Sequence, residues 1–564
     1  MASIVADAAK ISSEITIGTT LFMAEHGVQS EGEYKRKMAE QGHVMKHSHI
    51  GWNSWDQTAR GVEAIYNELQ RRGSYIDRYG YCLDWVMGVP ADKRHLLAVG
   101  TGLTFNSPEE WARAGQVVPV QPHFGDHMIA SCNSLENTRF GLSAGITTIG
   151  NISHYYTYEY PGVEMERERV IDMLKAIAVM GNFRDQGTII HSNLDDGFGA
   201  QYHDLANLVG WARMERYLVE DLLGGGLSHC FGNLFSDPIC GSSSTGRCRR
   251  SITLTPRIHD LRQHHRLRGS ITIATSGHYP HSPWPTAGLN TPSGHAVTVI
   301  PVTEAARVPS VKEIIQGHMT VDMMFEKARF YAPFINWEKV EAEKNILVAC
   351  GKIFFERVLN GLDDLGIDIT HAGEVFGALK AIGAEQLEEH FGVGQADKQA
   401  MRGRWPVRPT NIVATIMKKQ DDVCAKVKVP VLEGCLDGHR VIVASTDVHE
   451  FGKEIVKNVM LKAGATIFDL GSNVPTTEIL ETMIETESRH IVISTFNGIA
   501  LSYAQELVKG LRERNLSATI VMGGLLNENL EGSELPVDVT KQLKELGVQC
   551  DNVAENLVEV LLAS

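Results

Sequence analysis

Residues 439–452 read His439-Arg440-Val441-Ile442-Val443-Ala444-Ser445-Thr446-Asp447-Val448-His449-Glu450-Phe451-Gly452. The part up to Thr446 is mostly apolar and β-branched, which predicts a buried strand. After Gly452 the apolar residues recur at helical spacing until Gly464, which predicts a helix with a glycine stop. His449 therefore lies in a loop between a strand and a helix, where open α/β sheets bind ligands. This position makes His449 a candidate metal ligand.

The same alternation of strand and helix continues to the end of the chain. Further strands are predicted at 466–470, 490–495 and 517–522, and further helices at 476–486, 501–514 and 554–563. Strands separated by helices of about 10–15 residues are typical of a doubly wound parallel sheet. No Gly-x-Gly-x-x-Gly follows the first strand, so a dinucleotide is not favoured as the ligand. Residues 433–564 are thus predicted to form one Rossmann-like, flavodoxin-like domain.

Three successive strand ends of this domain resemble the cobalamin-binding domain of B12-dependent mutases and methionine synthase. They carry Asp447-x-His449-x-x-Gly452, Ser494-x-Phe496 and Gly523-Gly524. In that family the histidine replaces dimethylbenzimidazole as the lower cobalt ligand, and the nucleotide tail is buried beside the sheet. The family usually has Leu at the position of Phe496, and both side chains are apolar.

The resemblance implies a task for each matched residue. His449 would coordinate cobalt through one ring nitrogen and donate the other to Asp447, which fixes the tautomer and raises the basicity of the ring. Gly452 would keep the start of the helix clear for the corrin, and Ser494 would hydrogen-bond the displaced base. Gly523-Gly524 would let the nucleotide tail run close to the backbone. A histidine that only belongs to a helix cap is the alternative, but three motif elements at three strand ends favour cobalamin.

The length of 564 residues exceeds the ~250–300 at which single hydrophobic cores stop growing, so several domains are expected. We predict a helical N-terminal extension at 1–75, a substrate domain at 76–410, a linker at 411–432 and the cobalamin-binding domain at 433–564. Short apolar runs alternate with helical patterns in the substrate domain, which favours a TIM (β/α)8 barrel. Its predicted strands include 96–99, 117–120, 147–149, 188–190, 271–274 and 297–300.

Charge and hydropathy exclude several other classes of protein. The formal net charge of −15 argues against nucleic acid and anionic membranes as partners. No apolar run reaches the ~18 residues of a membrane-spanning helix, and the N-terminus lacks the pattern of a secretory signal. The nine cysteines form no C-x-x-C pair. We expect a cytoplasmic enzyme that forms a homo-oligomer, either a dimer or a tetramer.

Polar residues gather after four of the predicted barrel strands, where a barrel holds its active site. They are Gln121, His123, Asp126 and His127; Asn151 and His154; His191, Asn193, Asp195 and Asp196; and His278, Tyr279 and His281. His123, His127, His191 and His281 could converge on zinc. We favour neutral histidines that hydrogen-bond or move protons. The alternative is that these are ordinary polar loop residues without a catalytic role.

The barrel region also resembles the large substrate-binding subunit of glutamate mutase. The resemblance rests on blocks at 152–158, 163–167, 302–313 and 405–408, in the same order. It implies that Glu304 contacts the ribose of the adenosyl group and that Tyr158 faces a substrate carboxylate. Without the resemblance, Glu304 is a candidate capping residue and Tyr158 a candidate core aromatic.

This chain departs from glutamate mutase in the residues that bind substrate. The Arg-His-Gly loop of the family is replaced by Gln121-Pro122-His123, and the ammonium-binding glutamate falls near Thr148. The lysine before the ribose glutamate corresponds to Ile300. These differences indicate a substrate without an α-amino group. The related 2-methyleneglutarate mutase is, like this chain, a fusion of barrel and cobalamin domain, and it acts on such an acid.

The two resemblances together imply an adenosylcobalamin-dependent radical isomerase, a carbon-skeleton mutase acting on a small carboxylic acid. His154, His191 and Tyr158 would then hold the substrate. A corrinoid methyltransferase is one alternative, because helices predicted before the cobalamin domain, at 343–359, 372–382 and 385–390, could form a cap over methylcobalamin. A non-enzymatic cobalamin sensor is another. The basic segment 242–250 could bind a carboxylate or a phosphate, although a solvated loop is the favoured interpretation.

Overall fold

The structure is a computed structural model of the chain. It describes residues 1–194, 203–230, 310–322, 336–446, 451–528 and 537–563, apart from 42, 44, 53, 98–101, 159, 161–164, 320–321, 398–399, 401–402, 428, 430, 472–473, 496–498 and 551–555. The described residues up to Asn411 form one compact unit, and those from Ile412 onward form a second. No helix among the described residues is long and apolar enough to cross a bilayer.

The N-terminal unit alternates strands and helices. Its strands are β1 (His47–Ile50), β2 (Arg78–Tyr81), β3 (Gln121–His123), β4 (Thr148–Ile149), β5 (Ile189–Asn193) and β6 (Leu227–Cys230). Its helices are α1 (Ala2–Ser12), α2 (Leu21–His26), α3 (Glu31–Glu40), α4 (Trp55–Arg71), α5 (Pro108–Arg113), α6 (Ser134–Ser143), α7 (His154–Thr157), α8 (Glu166–Asn182), α9 (Leu205–Arg216), α10 (Trp337–Asp364), α11 (Ala372–Ile382) and α12 (Ala384–Phe391), with a further helix at 311–319.

Neighbouring strands of the N-terminal unit follow the order of the chain, and each pair is parallel. β1 pairs with β2, and β2 with β3. A single bridge between Phe124 and Ile149 leads to β4, which pairs with β5, and β5 pairs with β6. Parallel strands in chain order are the arrangement of a β/α barrel. A closed eight-stranded barrel is not shown, because the predicted strands 271–274 and 297–300 lie outside the described residues.

The two faces of this sheet differ in polarity. One face carries Ile50, Tyr79, Tyr81, Phe124 and Ile149, which are buried in the main apolar core. The opposite face, which we call the polar face, carries His47, His49, Arg78, Gly80, Gln121, His123 and His191. Side chains alternate between faces along a strand, so one period-2 pattern produces both surfaces.

Three sequence predictions for this unit need correction. Segment 1–75 is not only helical, because it contains β1, whose polar residues gave no strand pattern. Residues 117–120 form bends rather than a strand; the ladder begins at Gln121, whose N–H donates to the carbonyl of Asp77 at 2.9 Å. Residues Arg94–Leu96 form a 3₁₀ turn where a strand was predicted to begin.

The C-terminal unit is a parallel sheet covered by helices on both faces. Its strands are β7 (Arg440–Ser445), β8 (Thr466–Asp469), β9 (His490–Thr495), β10 (Thr519–Gly524) and β13 (Gln549–Cys550), with β11 (Asn527–Glu528) and β12 (Val537–Asp538) as a separate antiparallel pair. Its helices are α13 (Asn411–Cys424), α14 (Phe451–Lys462), α15 (Thr476–Thr486), α16 (Ala500–Glu513), α17 (Thr540–Glu545) and α18 (Leu557–Leu562).

The strand order is β8-β7-β9-β10-β13, which is the flavodoxin-like order. Ile442, Ala444 and Ile491 face one apolar core, while Val441 and Val443 face the other. Both faces are covered, so the strands are apolar throughout. The predicted Rossmann-like parallel sheet is confirmed.

Candidate functional site

In the C-terminal unit, the candidate site lies at the carboxyl ends of β7 and β9. These adjacent strands flank the point where the strand order reverses, and open α/β sheets bind ligands in the crevice at such a point. Ser445 pairs with Ser494 in the register, and the Thr446 N–H donates to the Ser494 carbonyl at 3.0 Å. Residues 447–450 follow directly in the sequence. Asp447, His449 and Phe496 lie outside the described residues, so their roles stay predictions.

Two of the predicted glycines of this site, Gly452 and Gly524, lie where a side chain would not fit. A Cβ on Gly452, in the first turn of α14, would lie 2.7 Å from the Ser494 hydroxyl oxygen. Gly523 pairs with Ser494, and Gly524 pairs with Thr495. Gly524 has a φ of +101°, and a Cβ there would lie 2.3 Å from the Thr495 carbonyl oxygen. The structure therefore brings Gly452, Ser494 and Gly523-Gly524 together at one edge of the sheet.

These residues fit a cobalamin. The glycines leave backbone without side chains at the end of β10, which suits a nucleotide tail that must approach the main chain closely. Within the described part of the chain, the buried Thr495 hydroxyl has no hydrogen-bond partner, and buried polar groups without a partner are rare. The Ser494 and Thr495 hydroxyls are thus candidate partners for the tail.

A cluster of charges, buried except at Asp469, holds the first turns of α14 next to this edge. Lys453 and Lys457 donate to the Asp469 carboxylate at 2.6 and 2.7 Å, and Lys457 also donates to Glu454 at 2.6 Å. Burial alone would raise the pKa of Asp469, but Lys457 and Lys453 lower it below its usual value. Two cations therefore balance two carboxylates, and they tie the start of α14 to the end of β8.

Comparison with known proteins identifies the domain that this crevice belongs to. Residues 440–538 match the family described as B12 binding domain. The chain therefore contains a B12-binding domain with a Rossmann-like parallel sheet, and this prediction is confirmed.

Known relatives of this region are corrinoid proteins. Over 80 residues, 14% of this chain, it is 33% identical to dimethylamine corrinoid protein 3 of Methanosarcina acetivorans, and it spans 38% of the length of that protein. It is similar to a cobalamin-binding protein from Desulfitobacterium hafniense, with 20% identity, 26% of this chain and 68% of that chain covered, and a TM-score of 0.20. It is also similar to the methanol:cobalamin methyltransferase complex MtaBC of Methanosarcina barkeri, with 14% identity and a TM-score of 0.19. The match covers 41% of this chain and 75% of that chain.

The predicted substrate residues of the N-terminal unit lie in one region. The His154 ring stacks on Tyr158 at a centroid distance of 5.8 Å, and the His191 ring lies 5.4 Å from that of His123. Asp126 lies 3.9 Å from His154 Nε2 and also interacts electrostatically with His191. Burial alone would raise the pKa of Asp126, but the surrounding histidines, His154 first, lower it.

Several other predicted residues fall outside the described part of the chain. They are Glu304, Asp195, Asp196, His278, Tyr279, His281 and the basic segment 242–250.

Sequence reasoning missed a buried ion triad under the polar face. Arg78 Nη1 donates to Glu31 at 2.8 Å, Lys35 forms a second ion pair with Glu31, and Arg78 Nε donates to His47 Nδ1 at 2.9 Å. Burial alone would raise the pKa of Glu31, but Lys35 and Arg78 lower it well below its usual value. The polar and aromatic residues alternating at 78–81 were the available signal for a half-buried strand.

The described residues do not form a zinc site. Among them, no group of three or more His, Cys, Asp or Glu side chains could hold a metal ion. His127 Nδ1 contacts the Tyr160 hydroxyl at 3.1 Å, and His123 Nδ1 contacts the Thr148 carbonyl at 3.0 Å. Burial lowers the pKa of His127 to about 4 and that of His191 to about 3, so both rings are neutral at pH 7.

Proposed function

We propose that this protein is an adenosylcobalamin-dependent radical isomerase that rearranges the carbon skeleton of a small carboxylic acid. The proposal rests on the B12-binding domain and on the polar face of the N-terminal unit. One observation favours it over a methyltransferase: the helices that precede the B12-binding domain belong to the core of the N-terminal unit.

Helices α10 and α12 pack closely against α9 in the N-terminal unit. Gly351 of α10 touches Gly210 of α9 so closely that a Cβ on Gly210 would lie 2.5 Å from the Gly351 carbonyl oxygen. Glu388 of α12 accepts a hydrogen bond from Asn207 at 2.9 Å. A cap over methylcobalamin, as in methionine synthase, would need helices free to cover the corrin. Here α10 and α12 pack on α9 instead.

The segment that resembles the end of the glutamate mutase subunit is also part of the N-terminal unit. The backbone N–H groups of Val407 and Arg408 donate to the Asp204 carboxylate at 2.8 and 3.2 Å. The Arg408 carbonyl accepts from the Leu205 N–H at 2.9 Å. Asp204 is also the N-cap of α9. The block 405–408 is therefore bound to the start of helix α9, as an integral part of the N-terminal unit.

The residues of this chain would bind the substrate and shield it. Adenosylcobalamin, when bound, supplies the hydrogen-abstracting chemistry. Neutral His191 and His123 offer hydrogen bonds without adding charge, and Tyr158 and His154 form an aromatic wall beside Asp126. His123 is buried and the other four side chains are half-buried, which restricts water around a reactive intermediate.

A corrinoid methyltransferase remains the second candidate function. It is favoured by the 33% identity to a dimethylamine corrinoid protein over 80 residues. The visible spectrum of the purified full-length protein distinguishes the two. An isomerase should prefer adenosylcobalamin and form cob(II)alamin when its acid substrate is added. A preference for methylcobalamin, without cob(II)alamin, would contradict the isomerase, and failure to bind either form would contradict both.

Replacing His449 by alanine tests the predicted lower ligand. The variant should lose the absorption of histidine-coordinated cobalamin and bind the cofactor roughly tenfold to hundredfold more weakly, by analogy with the loss of other metal-site partners. Titration followed by visible absorption measures both quantities. His490→Ala is the matched control, since His490 lies at the amino end of β9, away from the crevice. A variant with an unchanged spectrum would exclude His449 as the ligand.

A further inference from the structure

Two histidines on the polar face have opposite and fixed tautomers. Arg78 Nε lies 2.9 Å from His47 Nδ1, and a guanidinium can only donate. His47 Nδ1 is therefore the acceptor, which requires a neutral ring with its proton on Nε2. His47 thus presents a hydrogen-bond donor at Nε2.

His123 has the reverse arrangement. Its Nδ1 lies 3.0 Å from the Thr148 carbonyl oxygen, which can only accept, so the proton is on Nδ1. Burial, reinforced by the charge of Arg78, lowers the pKa of His123 well below 6.5, so the ring is neutral at pH 7. Nε2 of His123 is therefore a lone-pair acceptor. In the part of the chain that the structure describes, no residue hydrogen-bonds to Nε2 of either ring.

A glycine lies next to each of these two nitrogens. The rings of His47 and His123 are nearly perpendicular, with centroids 5.9 Å apart. Gly80 lies on the strand between them, paired with His49 on one side and with His123 on the other. A Cβ on Gly80 would lie 2.9 Å from His47 Nε2, and one on Gly125 would lie 3.5 Å from His123 Nε2. The His47 ring therefore packs directly against the backbone of β2, while above Gly125 the described residues leave space beside His123 Nε2.

Among the described residues around this face, two cations and two carboxylates balance, so their charge does not select the ligand group bound here. Lys35 and Arg78 are cations, and Glu31 and Asp126 are carboxylates whose pKa values are held below their usual range. Recognition between His47 and His123 must then depend on hydrogen-bond direction. A carboxylate or ketone oxygen can only accept, and an ammonium group can only donate. A hydroxyl group accepts and donates through one oxygen atom.

We infer that His47 and His123 form a donor–acceptor pair that binds a hydroxyl group of the substrate, which makes the substrate a hydroxy acid. The inference rests on the proposed function, because it names the substrate class of the same site. The hydroxyl accepts from His47 Nε2 and donates to His123 Nε2. An acid without the hydroxyl leaves both nitrogens unpaired, which weakens binding roughly tenfold to hundredfold.

The test compares matched acids that differ in one hydroxyl group. The probes are 2-hydroxyglutarate against glutarate, and lactate against propionate, titrated calorimetrically into the full-length protein at pH 7.5. The wild type should bind at least one hydroxy acid about tenfold to hundredfold more tightly than its partner. His123→Leu should abolish this preference by weakening the hydroxy acid only. His123→Gln restores an acceptor and should recover part of it, whereas the exposed control His390→Leu should change nothing.

The outcomes separate this inference from the proposed function. Equal affinity for the two acids of each pair, binding of neither pair, or a preference that survives His123→Leu would overturn the hydroxyl site. Circular dichroism and the cobalamin spectrum of His123→Leu show whether the variant is folded, and a misfolded one is replaced by His123→Gln with the same criterion. Absence of an adenosylcobalamin preference, with hydroxyl discrimination intact, would count against the isomerase alone.

Discussion

Gly524→Ala is expected to destabilise the C-terminal unit by about 2–5 kcal/mol and to weaken cobalamin binding. The φ of +101° disfavours any L-residue, and the added Cβ would lie 2.3 Å from the Thr495 carbonyl oxygen. The strand end must therefore move away from β9, where Ser494 and Thr495 form the edge of the crevice. Urea unfolding, followed by a probe in this unit, measures the loss of stability, and titration with cobalamin measures the loss of affinity.

Gly547→Ala is the matched control for this prediction. Gly547 belongs to the same unit and has a φ of +87°, but a Cβ on it would have no heavy atom of the described residues within 4 Å. Its replacement should lower the free energy of unfolding by about 1–2 kcal/mol, because an L-residue disfavours this backbone conformation. Cobalamin affinity should remain unchanged. Equal losses in the two variants would mean that the close approach to Thr495 has no role.

The sheet of the C-terminal unit was largely predictable because its strands are buried on both faces. Runs such as Val441-Ile442-Val443 and Ile491-Val492-Ile493 are apolar without interruption, and the intervening helices have clear periodicity. The short strand β13 was missed. Gln549 and Cys550 carry no pattern of their own, and they are a strand because β10 offers Val521 and Met522 as partners. Such pairing depends on the tertiary fold rather than on local sequence.

The N-terminal sheet was harder to predict for the opposite reason. β1 and β2 place histidine, arginine and glycine on the polar face, so they lack the apolar run that identifies a buried strand. The valines at 117–120 gave such a run, yet they precede the ladder: Val118 and Val120 are buried as part of the core. Burial of apolar side chains and strand pairing are separate requirements, and the pattern reports only the first.

Some residues of the candidate site could be predicted from the sequence, and others could not. His154, His191 and Tyr158 follow predicted strands or lie in a block of family resemblance, so sequence alone could nominate them. Glu31 and Arg78 are 47 positions apart and meet only because α3 packs under β2. Long-range hydrogen bonds likewise decide which ring nitrogen carries the proton in His47 and in His123. No sequence pattern encodes these contacts.

Glu31→Gln is expected to destabilise the N-terminal unit by about 3–5 kcal/mol at pH 7, because it removes the buried carboxylate that pairs with the buried guanidinium of Arg78. The pKa of Glu31 is lowered in the folded state, so its stabilisation is fully present above its ordinary value of 4.5 and is lost as the pH falls below it. The difference between wild type and variant should therefore be constant from about pH 6 to 8 and shrink in acid. Urea midpoints measured across this range test both statements.

Glu68→Gln provides the control, because Glu68 also pairs with two cations, Arg71 and Arg72, but at the surface of α4. Water screens those charges after the substitution, so the urea midpoint should remain nearly unchanged. A large loss for Glu31→Gln and none for Glu68→Gln would show that burial gives the triad its energetic importance. Similar small changes in both would mean that Arg78 and Lys35 are solvated without Glu31, and the fixed donation of Arg78 to His47 would then no longer be required.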